Sequence, residues 1–193
     1  MVFKHLGLGY IISVITFPGI IVYQLAKQIC CRICRVIVYK VKYFSFKIPH
    51  GYVIHENIDD EPWKKIFLII GPFFINLIVG VLLTFVPGLC IKGCCEIIWN
   101  YNVIVDIYMP IFLPALYWMG ISILIHMIPD INEAKILTDT IIKNKDVSIL
   151  AKIVTLPLVG IMYFWAFLSL LCWDIFLSAG IAAQLPYFVS LML

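Results

Sequence analysis

The sequence predicts an all-α polytopic membrane protein with a small β-hairpin in its first long loop, and three observations carry that prediction. Hydrophobic residues fill 63% of the 193 positions and charged residues only 13%, a balance too apolar for a soluble domain. Charge-free runs recur at Leu6–Ala26, Ile66–Ile91, Ile107–Pro129 and Ile153–Trp173, each near the roughly twenty residues that cross about 30 Å of hydrocarbon. Between the first two runs the pattern changes to the alternating, β-branched and aromatic stretch "VIVYKVKYFSF", which reads as strand.

The first run is expected to remain as a spanning helix. It exceeds the apolar core of a signal peptide, and no small-x-small cleavage site precedes the basic loop. After the first strand, Pro49 and Gly51 punctuate the chain before "YVIHE", which suits a hairpin. Acidic "ENIDDEPW" then serves as a polar connector, with Pro62 placed to start the second spanning helix. Beyond Asp174 a further nineteen residues carry no charge but are interrupted by Pro186; they read as a fifth membrane-embedded segment. The expectation is four to five transmembrane helices in a single membrane domain, 1–193. No repeat is visible, and no loop is long enough to fold separately.

Lysine and arginine set the orientation. Lys27, Arg32, Arg35, Lys40, Lys42, Lys47, Lys64 and Lys65 crowd the first loop, and Lys135, Lys143 and Lys145 the third, against Lys4 and Lys92 on the other side. That bias places the first and third loops in the cytoplasm and the N-terminus outside. The net charge of +3 is explained by this asymmetry and by contact with lipid headgroups, with no nucleic-acid partner and no soluble small-molecule substrate expected.

The segment with chemical interest is "PGIIVYQLAK", Pro18 to Lys27. A zinc metalloprotease helix needs His, Glu and His at i, i+1 and i+4, so that two imidazoles share a face and the glutamate activates the bound water. Here Tyr23, Gln24 and Lys27 hold those positions. Downstream, in order, come "CRVIVYKVKYFSF" (Cys34–Phe46), "GYVIHE" (Gly51–Glu56), "GPFFINLIVG" (Gly71–Gly80) and "GISILIHMIPDINEAKIL" (Gly120–Leu137). This succession resembles the site-2 protease family of intramembrane zinc metalloproteases, above all its small prokaryotic and archaeal members. The resemblance spans a core of about 17–137, followed by membrane-embedded segments over 149–193.

The resemblance implies that Tyr23 and Lys27 stand at the two histidine positions, Gln24 at the glutamate position and Glu133 at the third, acidic ligand. A protonated lysine ligates no metal and a glutamine is no base. The site is therefore read as degenerate, comprising Tyr23, Gln24, Lys27, Asn76, His126, Asp130 and Glu133, with no metal and no cofactor. Lys27 either snorkels to the headgroups or pairs with Glu133 or Asp130. Asn76 is expected to turn inward and bond across helices, and His126 to make a structural hydrogen bond to a neighbouring helix.

Cys30, Cys31 and Cys34 lack a second ligand pair on their side of the membrane, so free or acylated thiols are the better reading. Cys90 with Cys94 or Cys95 is a disulfide candidate. His50 and His55 flank Gly-Tyr-Val and suit turn hydrogen bonds. Tyr10, Trp63, Trp99, Tyr101, Trp118, Trp165 and Trp173 suit interface anchoring. The function expected is non-catalytic: a pseudoprotease serving as accessory subunit of a membrane complex, or binding transmembrane segments, with other integral membrane proteins and lipids as partners. The alternatives are an active protease with ligands relocated to His126, Asp130 and Glu133, or a small transporter or channel subunit.

Overall fold

Pro18 shapes the first element. It lacks an N–H, which costs nothing at the start of a helix, and in the computed structural model, which describes residues 7–45, 51–58, 61–91, 103–145, 147–169 and 173–190, the first apolar run is two helices. Helix α1 covers Gly7–Ile15 and α2 covers Phe17–Ile33, with proline in the first turn of α2. The single first span expected from the sequence is thus corrected to a broken one, with Pro18 in the first turn of the second helix, where a missing N–H goes unneeded.

The break is closed by polar groups from elsewhere. Strands β1 (Val38–Lys42) and β2 (Tyr52–His55) follow α2, then α3 (Pro62–Ile91) and α4 (Val103–Ile125). Ser122 of α4 donates its hydroxyl proton to Thr16 O at 2.8 Å and accepts from Gly19 N–H at 2.9 Å. Thr16 Oγ1 bonds Ile12 O at 2.7 Å and lies 2.7 Å from His126 Nε2. A hydroxyl has one proton; with it directed to Ile12 O, His126 donates from Nε2. A Cβ on Gly19 would stand 2.0 Å from Ser122 O, so α2 and α4 meet at this point with no room for a side chain.

The strands form an antiparallel pair in the register Val38↔His55, Lys40↔Ile54, Val41↔Val53 and Lys42↔Tyr52, with a bulge between Val38 and Lys40. What folds the sheet back is the end of α2. Arg35 has φ 56°, Val36 N–H reaches Cys31 O at 2.9 Å and Arg35 N–H reaches Arg32 O at 3.1 Å. That is the Schellman arrangement, accompanied by packing of Val36 on Cys31. Ile58, Leu68 and Val53 join this cluster and tie the sheet to the helices.

Helix α3 begins at Pro62, as expected, and runs through Pro72 and Pro87. The most apolar 18-residue window within Pro62–Gly88 has a mean hydropathy of 2.7, and that within Ile149–Leu168 of α6 (Ile149–Ser169) 1.8; these two helices are long and apolar enough to cross a membrane. Phe112–Ile125 is a shorter apolar helix by the same measure. Helices α3 and α4 approach closely where Gly80 and Gly120 face each other, a Cβ on Gly120 standing 3.0 Å from Gly80 O. Short helix α5 (Ile131–Leu137) continues into a π-helical turn at Thr138–Ile142. Ala134, Leu137 and Ile141 from this stretch meet Ile66 and Ile69 of α3 and Val159 and Met162 of α6 in a buried cluster. The exposed pair Asp139–Lys143, 2.6 Å apart, raises the Lys143 ammonium above its usual value through its hydrogen bond but adds little stability where water competes.

The tail forms α7, Trp173–Ser190. Pro186 does not interrupt it: the helix continues through Pro186, whose ring packs over Gly88. Ala182 of α7 joins Leu124 and Met127 in a third buried cluster, and Trp165 Nε1 donates to Asp174 at 2.7 Å, joining α6 to α7. Trp63, Trp118, Trp173 and Tyr10 are exposed on the bundle. His50, Cys94, Cys95, Trp99 and Tyr101 lie outside the described residues.

Gly19→Ala is expected to lower stability by about 1–3 kcal/mol through overpacking, whereas Gly160→Ala, with no atom within 4 Å of the added Cβ, raises it by about 0.5–1 kcal/mol through helix propensity. Thermal melts of the detergent-solubilised protein check the contrast. In the same assay Arg35→Gly is expected to gain about 0.5–1 kcal/mol, since glycine relieves the left-handed position at the helix end.

Candidate functional site

Helical spacing places Tyr23 and Lys27 on one face of α2, four residues apart. Both reach the same group. Tyr23 Oη donates to Glu133 Oε2 at 2.8 Å, and Lys27 Nζ is ion-paired and hydrogen-bonded to Glu133 Oε1. The lysine ammonium also lies 5.2 Å from the centroid of the Tyr23 ring, a cation–π distance. Of the two carboxylates the sequence offered Lys27, Glu133 is its partner; Asp130 accepts instead from Asn132 Nδ2 at 3.3 Å.

Glu133 is held from its own side as well. Asp130 N–H, at the start of α5, donates to Glu133 Oε2 at 3.1 Å, the reach-back half of a capping box. The carboxylate therefore accepts from one ammonium, one phenol and one amide, while only 9% of its side chain is exposed. Burial of a carboxylate is tolerated when a countercharge and hydrogen bonds accompany it. The Lys27 side chain is 26% exposed, so the pair sits at the edge of the buried region.

Gln24, beside Tyr23 on α2, is buried. Its Cγ lies under Gly51, where a Cβ would approach to 2.3 Å, so the residue preceding β2 rests directly on the site helix. Among the described residues Gln24 Oε1 has no hydrogen-bond partner. Asn76 is fully buried in α3, as its inward turn required, but the cross-helix bond expected of it is absent: among the described residues neither Oδ1 nor Nδ2 is partnered. On the neighbouring faces Phe73 and Leu77 pack into the apolar cluster with Leu124 and Met127, and helix backbones commit their polar groups to their own turns. His126 does make the interhelical bond expected of it, to Thr16.

The donor set does not fit a zinc ion. A zinc site takes three or four deprotonated nitrogen, oxygen or sulfur ligands, whereas this cluster presents a proton-donating phenol, an ammonium and one carboxylate already accepting three bonds. Among the described residues no three His, Cys, Asp or Glu side chains are grouped to hold a metal. His126, Asp130 and Glu133, the relocated ligands of the active-protease alternative, each face a different partner. Of the described free cysteines, Cys30 abuts Gly71, while Cys31 and Cys34 pack with Val36, Ile58 and Leu68.

Sequence reasoning missed Thr16 and Ser122, which close the helix break. Ser122 and His126 are four apart in an otherwise apolar run, and that spacing on one helix face was the available signal. It also missed the capping role of Glu133, which the Asp-x-x-Glu spacing of Asp130 and Glu133 carries.

No family model, no curated protein and no solved structure matches this chain.

Glu133→Gln keeps acceptors for Tyr23 and Asp130 but strands the Lys27 charge. It is expected to cost about 2–3 kcal/mol, below the range for a fully buried pair because Lys27 is partly exposed. Adding Lys27→Met should recover most of that loss, as measured by the melting midpoints of the single and double variants.

Proposed function

We propose that this protein is a non-catalytic pseudoprotease of the intramembrane metalloprotease type, retaining the scaffold to bind another integral membrane protein or its transmembrane segments. The observation that carries the reading is the convergence of Tyr23 and Lys27 on Glu133. In the family the sequence resembles, those positions of the helix and the later acidic residue hold a zinc ion. Here a hydrogen bond and an ion pair join them, so the lysine ammonium does the cross-linking that a metal cation would do. The glutamate position, occupied by Gln24, offers no general base.

The reading carries four to five membrane spans, with the N-terminus outside and the β1–β2 sheet on the cytoplasmic side. The basic residues around the sheet and on the third loop support this orientation. Accessory subunits need a rigid scaffold and no turnover, and the ion pair supplies rigidity where a metal site would have supplied chemistry.

The test is metal analysis of the full chain purified without chelator. Wild-type protein is expected to carry only substoichiometric zinc by plasma mass spectrometry, and stoichiometric zinc in it would overturn the pseudoprotease reading. The triple variant Tyr23→His, Gln24→Glu, Lys27→His, which rebuilds the motif opposite Glu133, is expected to take up stoichiometric zinc. A folded triple variant without zinc would show that the three positions do not form a metal-sized constellation.

A further inference from the structure

Where α2 ends and β1 turns back over it, the surface holds a pocket of about 310 Å³ lined by Gln28, Arg32, Val36, Val38, Tyr39, Lys40 and Val41. Its polar side chains can all donate: Arg32 and Lys40 donate only, and the Tyr39 hydroxyl and the Gln28 amide can donate as well as accept. Gln28 Oε1 accepts from the Tyr43 hydroxyl at 2.7 Å, and the Gln28 amide N–H groups are its donors. Arg32 and Lys40 bring two positive charges, and among the described residues neither is bonded to a carboxylate. No acidic side chain lines the pocket. The helix end beneath it would ordinarily repel an anion, but Arg35 N–H and Val36 N–H already occupy the carbonyls of Arg32 and Cys31. Two full charges then dominate the residual dipole.

Two cations and further N–H and O–H donors with no carboxylate among them are complementary to a phosphate group, and arginine in particular binds one through paired N–H bonds. What stands beside the pocket says which molecule carries the phosphate. Leu25, Ile29 and Ile33 lie at four-residue spacing on the adjoining face of α2 and are exposed, as is Ile37 at the turn. This apolar strip runs from the pocket along the helix. We propose that the pocket is a binding site for an anionic phospholipid, its headgroup phosphate held by Arg32, Lys40 and the Gln28 amide, and its acyl chain laid along Leu25, Ile29 and Ile33. The site goes beyond the general attraction of a basic loop to a charged membrane, because it assigns the contact to one pocket. It is independent of the pseudoprotease reading.

The test titrates the full chain in neutral detergent with dioctanoyl-phosphatidylglycerol, dioctanoyl-phosphatidylcholine and inorganic phosphate, following binding by native mass spectrometry. Phosphatidylglycerol is expected to bind about tenfold or more tighter than either of the others. Lys40→Gln, at an exposed strand position, should weaken it about fivefold, and Arg32→Gln with Lys40→Gln about 25-fold, from the usual worth of one basic residue near a lipid surface. Lys135→Gln with Lys143→Gln, on the third loop, should leave it unchanged. Circular dichroism establishes that each variant is folded. Lys40→Gln keeps the result decisive if the double variant fails to fold. An unaltered affinity in folded Lys40→Gln, an equal loss in the third-loop variant, equal binding of phosphatidylcholine, or inorganic phosphate binding as tightly as the lipid would each overturn the proposal.

Discussion

One carboxylate holds two distant parts of the chain together. Glu133 starts a short helix, yet its oxygens are claimed by a phenol and an ammonium from α2 as well as by its own helix end. In an apolar interior such a group is stable only when all its partners are present together. That condition ties the α2 face carrying Tyr23 and Lys27 to the entrance of α5. Through Leu137 and Ile141 it extends to the packing of α3 and α6. Remove the countercharge and the carboxylate loses its reason to be buried; remove the carboxylate and the lysine must find water.

The break at Thr16 obeys the same logic with neutral groups. A proline-initiated helix leaves backbone groups that an apolar environment does not satisfy. Ser122 supplies both a donor and an acceptor to them, and the absence of a side chain at Gly19 lets α4 come close enough to do it. Other buried polar residues, Asn76, Thr84 and Thr155 among them, lie within helices and not at their ends.

Much of this was legible in the residues themselves. Alternation in "VIVYKVK" and punctuation at Gly51 announced the two strands, and Pro62 the start of α3. The spacing of Tyr23 and Lys27 announced a shared helix face. Other features were not legible. Pro18 and Pro186 are both prolines in apolar runs; α2 starts around the first, where Ser122 of α4 bonds the break, while α7 continues through the second, whose ring packs over Gly88 of α3. Asn76 was correctly turned inward, but its partner could not be read from residue type.

The sequence by itself determined the class of element at each place: apolar helices by composition, a hairpin by alternation, and a helix that sets Tyr23 and Lys27 on one face. Those properties are local, since hydrophobic periodicity and side-chain chemistry belong to short stretches of chain. Only the tertiary structure decided that Lys27 takes Glu133 over Asp130, that Ser122 mends the first helix, and that the end of α2 and strand β1 enclose a cationic pocket. Each depends on residues far apart in the chain meeting within hydrogen-bonding or packing distance, which spacing along a single helix or strand does not encode.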